Sequence, residues 1–132
     1  MQIRQEAIIN ADPQAVYEVL TDGQRFAAAT GMPAQLSDRE GEMFTIFDGR
    51  VEGRQIELVP GRRIVQAWRF GAAHESPWDA GVYSVVRFAL IGQEGGTLLT
   101  IDHTGVPPEW HDHISGGYPE FYMRPLERYF AA

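Results

Sequence analysis

The spacing of apolar residues changes several times along the chain, and each change predicts an element. In "MQIRQEAIIN" apolar and polar positions alternate weakly, as in a strand, and "ADP" then stops the pattern. Asp12 is placed to cap a helix whose first position is Pro13. Val16, Val19 and Leu20 follow at helical spacing, and "TDG", Thr21 to Gly23, ends that helix and caps a shorter one through Phe26 to Ala28. From residue 32 onward the punctuation is that of strands. "MFTIF" leads to an Asp48-Gly49 hairpin signal, "RVEGRQIELV" to Pro60-Gly61, and "RRIVQAWRF" to a loop of turn formers, "GAAHESPWDAG". "VYSVVRFALI" and "TLLTIDHTGV", joined at Gly95-Gly96, complete an antiparallel meander.

The last stretch returns to helical spacing: Trp110, Ile114, Tyr118, Phe121, Tyr122, Leu126 and Tyr129 recur every three or four residues. Gly116 and Gly117 each cost about 1 kcal/mol against alanine inside a helix, and Pro119 and Pro125 each remove a backbone donor. The expectation is a helix bent at Gly-Gly-Tyr-Pro, or two helices with Pro119 opening the second.

Composition narrows the function classes. A chain of 132 residues with 44% hydrophobic positions predicts one domain, 1–132, with one core. Eighteen acidic residues against eleven basic ones give a net charge of -7, and the arginines are interleaved with acids, which argues against nucleic acid as a partner. There is no cysteine, hence neither a disulfide framework nor a thiolate. The start lacks the apolar core of a signal peptide and no run of 18 apolar residues occurs, so a soluble, cytoplasmic protein without membrane insertion is expected.

The order strand, two small helices, antiparallel strands and long C-terminal helix, with the motifs "ADPQAVYEVLTD", "FDGRVEGRQIELVPGRRIVQAWR" and "GGTLLTIDHTGVP", resembles the START-like (SRPBCC) superfamily, and within it the AHSA-like group. The resemblance implies an α+β helix-grip (START/Bet v-like) fold, a curved antiparallel sheet wrapped around a long bent C-terminal helix. It also implies a deep cavity between sheet and helix, used across the superfamily for apolar molecules. One departure is Gly117-Tyr118, where the group's last helix usually carries Gly-Trp. Activators of the heat-shock protein 90 chaperone carry a separate chaperone-binding domain, so the length of this chain argues against a chaperone partner.

Alternation within the strands assigns the faces. Ile64, Gln66, Trp68 and Phe70 are expected inward, with Val82, Ser84, Val86, Phe88 and Leu90 from the next strand and Leu99, Ile101 and His103 from the last; the opposite registers would bury Arg87 and Asp102. Gln66, Ser84 and His103 are then polar groups on an apolar wall, either lining a small-molecule pocket or pinning the register through neighbours.

The leading expectation is a non-catalytic binder of a small hydrophobic ligand, needing no cofactor, with Trp68, Phe88, Tyr118 and Tyr122 as walls and His103 as the polar orienter. The alternatives are a cyclase, hydrolase or lyase using His103 and Tyr118 or Tyr122, and a chaperone or stress-response interaction protein. The enzyme needs a second acid or base, for which Asp48 is the one candidate; Ser84 has neither an elbow motif nor a defined histidine partner. No metal site is expected, since His111 and His113 lie about 200° apart around a helix and only His103 could join one of them. Val65, Ala67, Tyr83, Val85, Ala89 and Leu98 make the outward face apolar enough for a homodimer, unless a loop, such as that of Trp78, covers it.

Overall fold

Asp12 sets the first boundary: its carboxylate accepts the Ala15 N–H at 2.8 Å and Pro13 occupies the first helical position, so strand gives way to helix within three residues. The computed structural model describes residues 2–131. The chain runs β1 (Ile3–Ile9), α1 (Pro13–Thr21), α2 (Gly23–Thr30), β2 (Met43–Ile46), β3 (Val51–Val59), β4 (Arg63–Phe70), β5 (Ser84–Gln93) and β6 (Gly96–Thr104). A C-terminal helix follows, built from a 3-10 turn (Pro108–Trp110), α3 (His111–Tyr118), a π-helical turn (Pro119–Met123) and α4 (Arg124–Tyr129). Asp22 closes α1 and caps α2 through the Arg25 N–H, and α2 runs two residues past the expected Ala28 to a left-handed Gly31.

The six strands form one antiparallel sheet in the order β1-β6-β5-β4-β3-β2. The expected inner faces of β4 and β6 are the buried ones, as is that of β5 from Ser84 onward. Val82 is a correction: β5 starts at Ser84, and Val82 is exposed in the preceding loop. In β3 alternation leaves Ile56 outward, and a bulge between Gln55 and Glu57 then moves the inward phase to Leu58, opposite Ile64. β2 also stops early. Its hairpin is not a two-residue Asp-Gly turn: Ile46 pairs with Val51, which leaves four residues between the strands, and of these Phe47 and Asp48 both take left-handed backbone, with φ of 53° and 58°. That conformation costs a bulky residue about 1–3 kcal/mol, and the Phe47 ring offsets it by packing against Phe26, Phe121 and Tyr122.

The C-terminal helix lies on the inner face and buries Ile114, Tyr118, Tyr122, Met123 and Leu126. It does not split in two at Pro119, whose backbone stays helical. Pro125 has no N–H for the carbonyl four residues back, and the Arg124 N–H reaches instead to Pro119, five residues back. The widened turn absorbs the missing bond. Under the helix, the half of the interface made by β1, β6, β5 and α1 is solid: Ile9, Val16, Val19, Val86, Phe88, Leu99 and Ile101 are buried.

Outside, the apolar face is broken by charge. Arg4 pairs with Asp102 and Arg63 with Glu57, while Val65 is itself buried and Ala67, Val85, Ala89 and Leu98 are half-buried. Trp78 does not cover this face. Its ring packs on the inner side against Trp68 and Phe70, and Arg69, on the outer side, holds the loop by donating to the Trp78 carbonyl. Among the described residues, no helix is long and apolar enough to cross a membrane.

Candidate functional site

A cavity of about 530 Å³ opens between the C-terminal helix and the β3–β4 half of the sheet. Trp68, Phe70 and Val51 form its floor, Phe47 and Arg50 one rim, His74 to Ser76 another, and Trp110 through Tyr122 the roof. No side chain of β1, β5 or β6 reaches it. Two local features leave the space empty. Gly117 faces it without a side chain, and the β4–β5 loop folds Trp78 under Trp68 instead of across the opening.

The seven residues singled out from sequence separate into two groups. Trp68, Tyr118 and Tyr122 line the cavity. Gln66, Ser84, Phe88 and His103 do not. Gln66 donates to the Gln55 amide oxygen at 3.1 Å, and Gln55 in turn donates to the Ser37 carbonyl at 3.0 Å, fastening the segment before β2 to the sheet. Phe88 and Gln66 border only a void of about 10 Å³, at the lower limit for one water.

Ser84 and His103 belong to a buried chain of hydrogen bonds. The expectation that Ser84 lacks a histidine partner is corrected by the structure: its Oγ lies 2.7 Å from His103 Nε2. The direction of each bond follows from the ends. Ser84 donates its proton to the Trp68 carbonyl at 2.8 Å, so it must accept from His103 Nε2–H. Nδ1 is then an acceptor, and the Tyr118 hydroxyl donates to it at 2.6 Å. Burial alone lowers the histidine pKa to about 4, keeping it neutral, and burial pushes the Tyr118 phenol well up. Every donor in the chain is spent inside the protein. An activated serine would give its proton to the histidine, which is the reverse of this arrangement. Asp48 stands exposed on the β2–β3 turn and lines no part of the cavity.

The rim carries the remaining chemistry. His74 stacks on Phe70 with ring centres 3.9 Å apart and accepts the Ser76 N–H through Nδ1 at 2.9 Å. Burial, followed by the neighbouring His113, holds His74 below the ordinary histidine range. Trp110 packs edge-on to both Phe70 and His113. Arg50, Glu75 and Glu120 surround these rings. Phe70, Trp110 and Phe121 were readable from strand or helix periodicity. Phe47, read as the end of a strand, lies in the turn after β2, and His74 lies in a loop; no periodicity singled out either.

His111 is paired with Asp112, and His113 sits against Trp110. Among the described residues no group of three or more His, Cys, Asp or Glu side chains is arranged to hold a metal ion.

Residues 10–131 match the family described as Activator of Hsp90 ATPase homolog 1-like protein. The human Activator of 90 kDa heat shock protein ATPase homolog 1 is 29% identical over 118 residues, 89% of this chain and 33% of its own length. The chain thus spans about a third of the length of the curated relatives it matches. Among solved structures, an HSP90 activator from Plasmodium falciparum superposes with a TM-score of 0.85 at 20% identity, over 97% of this chain and 94% of that one. DynU16, a protein of the dynemicin biosynthetic locus, superposes with a TM-score of 0.77 at 22% identity, over 97% of this chain and 46% of that one. These two structural likenesses show the shared fold.

Proposed function

The chain belongs to the family of Activator of Hsp90 ATPase homolog 1-like proteins, and from that premise we propose that it binds an apolar or aromatic small molecule in the cavity beneath its C-terminal helix. The observation that carries the reading is the cavity itself. About 530 Å³ lies within the usual range of small-molecule sites, and most of its wall is apolar, with seven aromatic residues, while its polar groups gather at the rim. The walls are Trp68, Tyr118 and Tyr122, joined by Phe47, Phe70 and Phe121. His103 takes no direct part, because both ring nitrogens are committed within the protein.

The test is uptake of 8-anilinonaphthalene-1-sulfonate and a thermal-shift screen of hydrophobic compounds. A ligand at a hundred times its Kd stabilises by about 2.7 kcal/mol. Gly117→Leu should abolish uptake, since the new side chain grows into the cavity from a helix that otherwise favours leucine over glycine. Uptake unchanged in that variant would mean that the dye binds elsewhere.

A second reading, action on the Hsp90 chaperone, is favoured by the family and by the Plasmodium HSP90 activator, whose solved chain has almost the extent of this one. Pull-down of Hsp90 with the purified chain, and ATPase turnover with and without it, test this reading separately from ligand uptake.

A further inference from the structure

The inner end of the cavity holds two donors that the protein does not use. Trp68 is 4% exposed and its indole N–H has no hydrogen-bond partner. Tyr122 is equally enclosed, and its hydroxyl lies near the Trp68 indole without the two meeting hydrogen-bond geometry. Trp68 borders the large cavity but not the small void near Gln66, so the Trp68 side of Tyr122 is the cavity side. The contrast with Tyr118, one helical turn earlier, is direct: that hydroxyl is bound to His103.

We propose, resting on the cavity-binding reading above, that Trp68 and Tyr122 form a hydrogen-bond-donor site for the carbonyl oxygen of an aromatic ketone or quinone-like ligand. Indole N–H can only donate. With a carbonyl in the cavity to take the phenolic proton, a small rotation of the tyrosine lets its oxygen accept from Trp68. Burial pushes the Tyr122 phenol far up, so this proton is present at any working pH. A flat aromatic body suits the surrounding rings of Phe47, Phe70 and Tyr118. An unpartnered buried donor is destabilising in the ligand-free protein, and the arrangement formed on ligand binding gives the Trp68 N–H an acceptor in Tyr122 while the carbonyl takes the phenolic proton.

The experiment compares 9-fluorenone with fluorene, two molecules of nearly one shape that differ by the carbonyl, by calorimetry on the whole chain. Fluorenone should bind about tenfold more tightly, the worth of one buried hydrogen bond. Tyr122→Phe should remove that preference while leaving fluorene affinity almost unchanged. The infrared carbonyl band of bound fluorenone should move to lower wavenumber in the unmodified protein and return in Tyr122→Phe. That measurement does not depend on the variant's stability, since the wild-type shift alone can contradict the proposal. Equal affinities with no band shift would overturn the donor site and leave the cavity reading standing. Failure of both probes to bind would overturn the donor site as well, and if 8-anilinonaphthalene-1-sulfonate is also excluded, the cavity reading falls with it.

Discussion

The two halves of the interface between sheet and C-terminal helix handle polar groups in opposite ways. Beneath β5 and β6, Tyr118, His103, Ser84 and the Trp68 carbonyl form a closed directional chain in a solid core. Beneath β3 and β4, the same helix stands off from the sheet, and the Trp68 indole has no partner. Trp68 is the partition. Its ring stands nearly perpendicular to that of His103 with centres 4.9 Å apart, its carbonyl ends the closed chain, and the residue borders the open cavity. Polar side chains on an apolar wall therefore do not mark a binding site by themselves. What distinguishes the halves is whether each donor is already spent.

The comparison is most exposed to a pair of phenylalanine truncations, one in each half. Phe88→Ala removes a ring enclosed on all sides and should destabilise by about 3–5 kcal/mol. Phe121→Ala removes a ring that is 39% exposed and already borders the cavity, and should cost below about 1 kcal/mol. Denaturant unfolding with unchanged m-values reads both directly. Similar losses would mean that the cavity half is packed as tightly as the other.

Acid should separate the halves next. The folded protein holds His103 at about 4, below the 6.5 of a free histidine, so the unfolded chain takes up this proton first. Stability from this group is complete above about pH 6.5 and declines as pH falls toward about 4. The gap of about 2.5 pH units, at about 1.4 kcal/mol each, amounts to about 3.5 kcal/mol, of which about 3 kcal/mol is lost by pH 4. His103→Gln retains one donor and one acceptor without the titration. The stability difference between wild type and variant should therefore shift by about that amount, in favour of the variant, between pH 7 and pH 4. A constant difference would show that His103 is not the buried neutral member of the chain.

Much of this was legible in the sequence where periodicity governs. Burial of Arg87 or Asp102 was sufficient to choose the faces of β5 and β6, and helical spacing named Tyr118 and Tyr122. The misreadings came from places where a single backbone departure resets the pattern. The left-handed Phe47 turned a strand residue into a cavity wall, and Val82 falls outside its strand. The division of the site was not legible, because it depends on register and helix placement. Ser84 and His103 are 19 residues apart, and only the antiparallel pairing of Val86 with His103 brings them together. Whether the helix then sets Tyr118 or Tyr122 over that pair is a matter of one turn, which side-chain spacing leaves undetermined.

That one turn gives the most selective test. Tyr118→Phe removes the donor to His103 Nδ1 and leaves a buried acceptor unsatisfied, so it should cost about 1–3 kcal/mol. Tyr122→Phe gives up no hydrogen bond to the protein and keeps its ring against Phe26, Phe47 and Phe88, so stability should change by less than about 0.5 kcal/mol. The two substitutions are chemically identical and four residues apart on one helix, so propensity and volume cancel between them. Thermal or denaturant unfolding of the two variants at pH 7, without ligand, measures the difference. If Tyr122→Phe proved the more damaging, the free hydroxyl would lie over His103's side of the helix, and the assignment of spent and unspent donors would have to be exchanged.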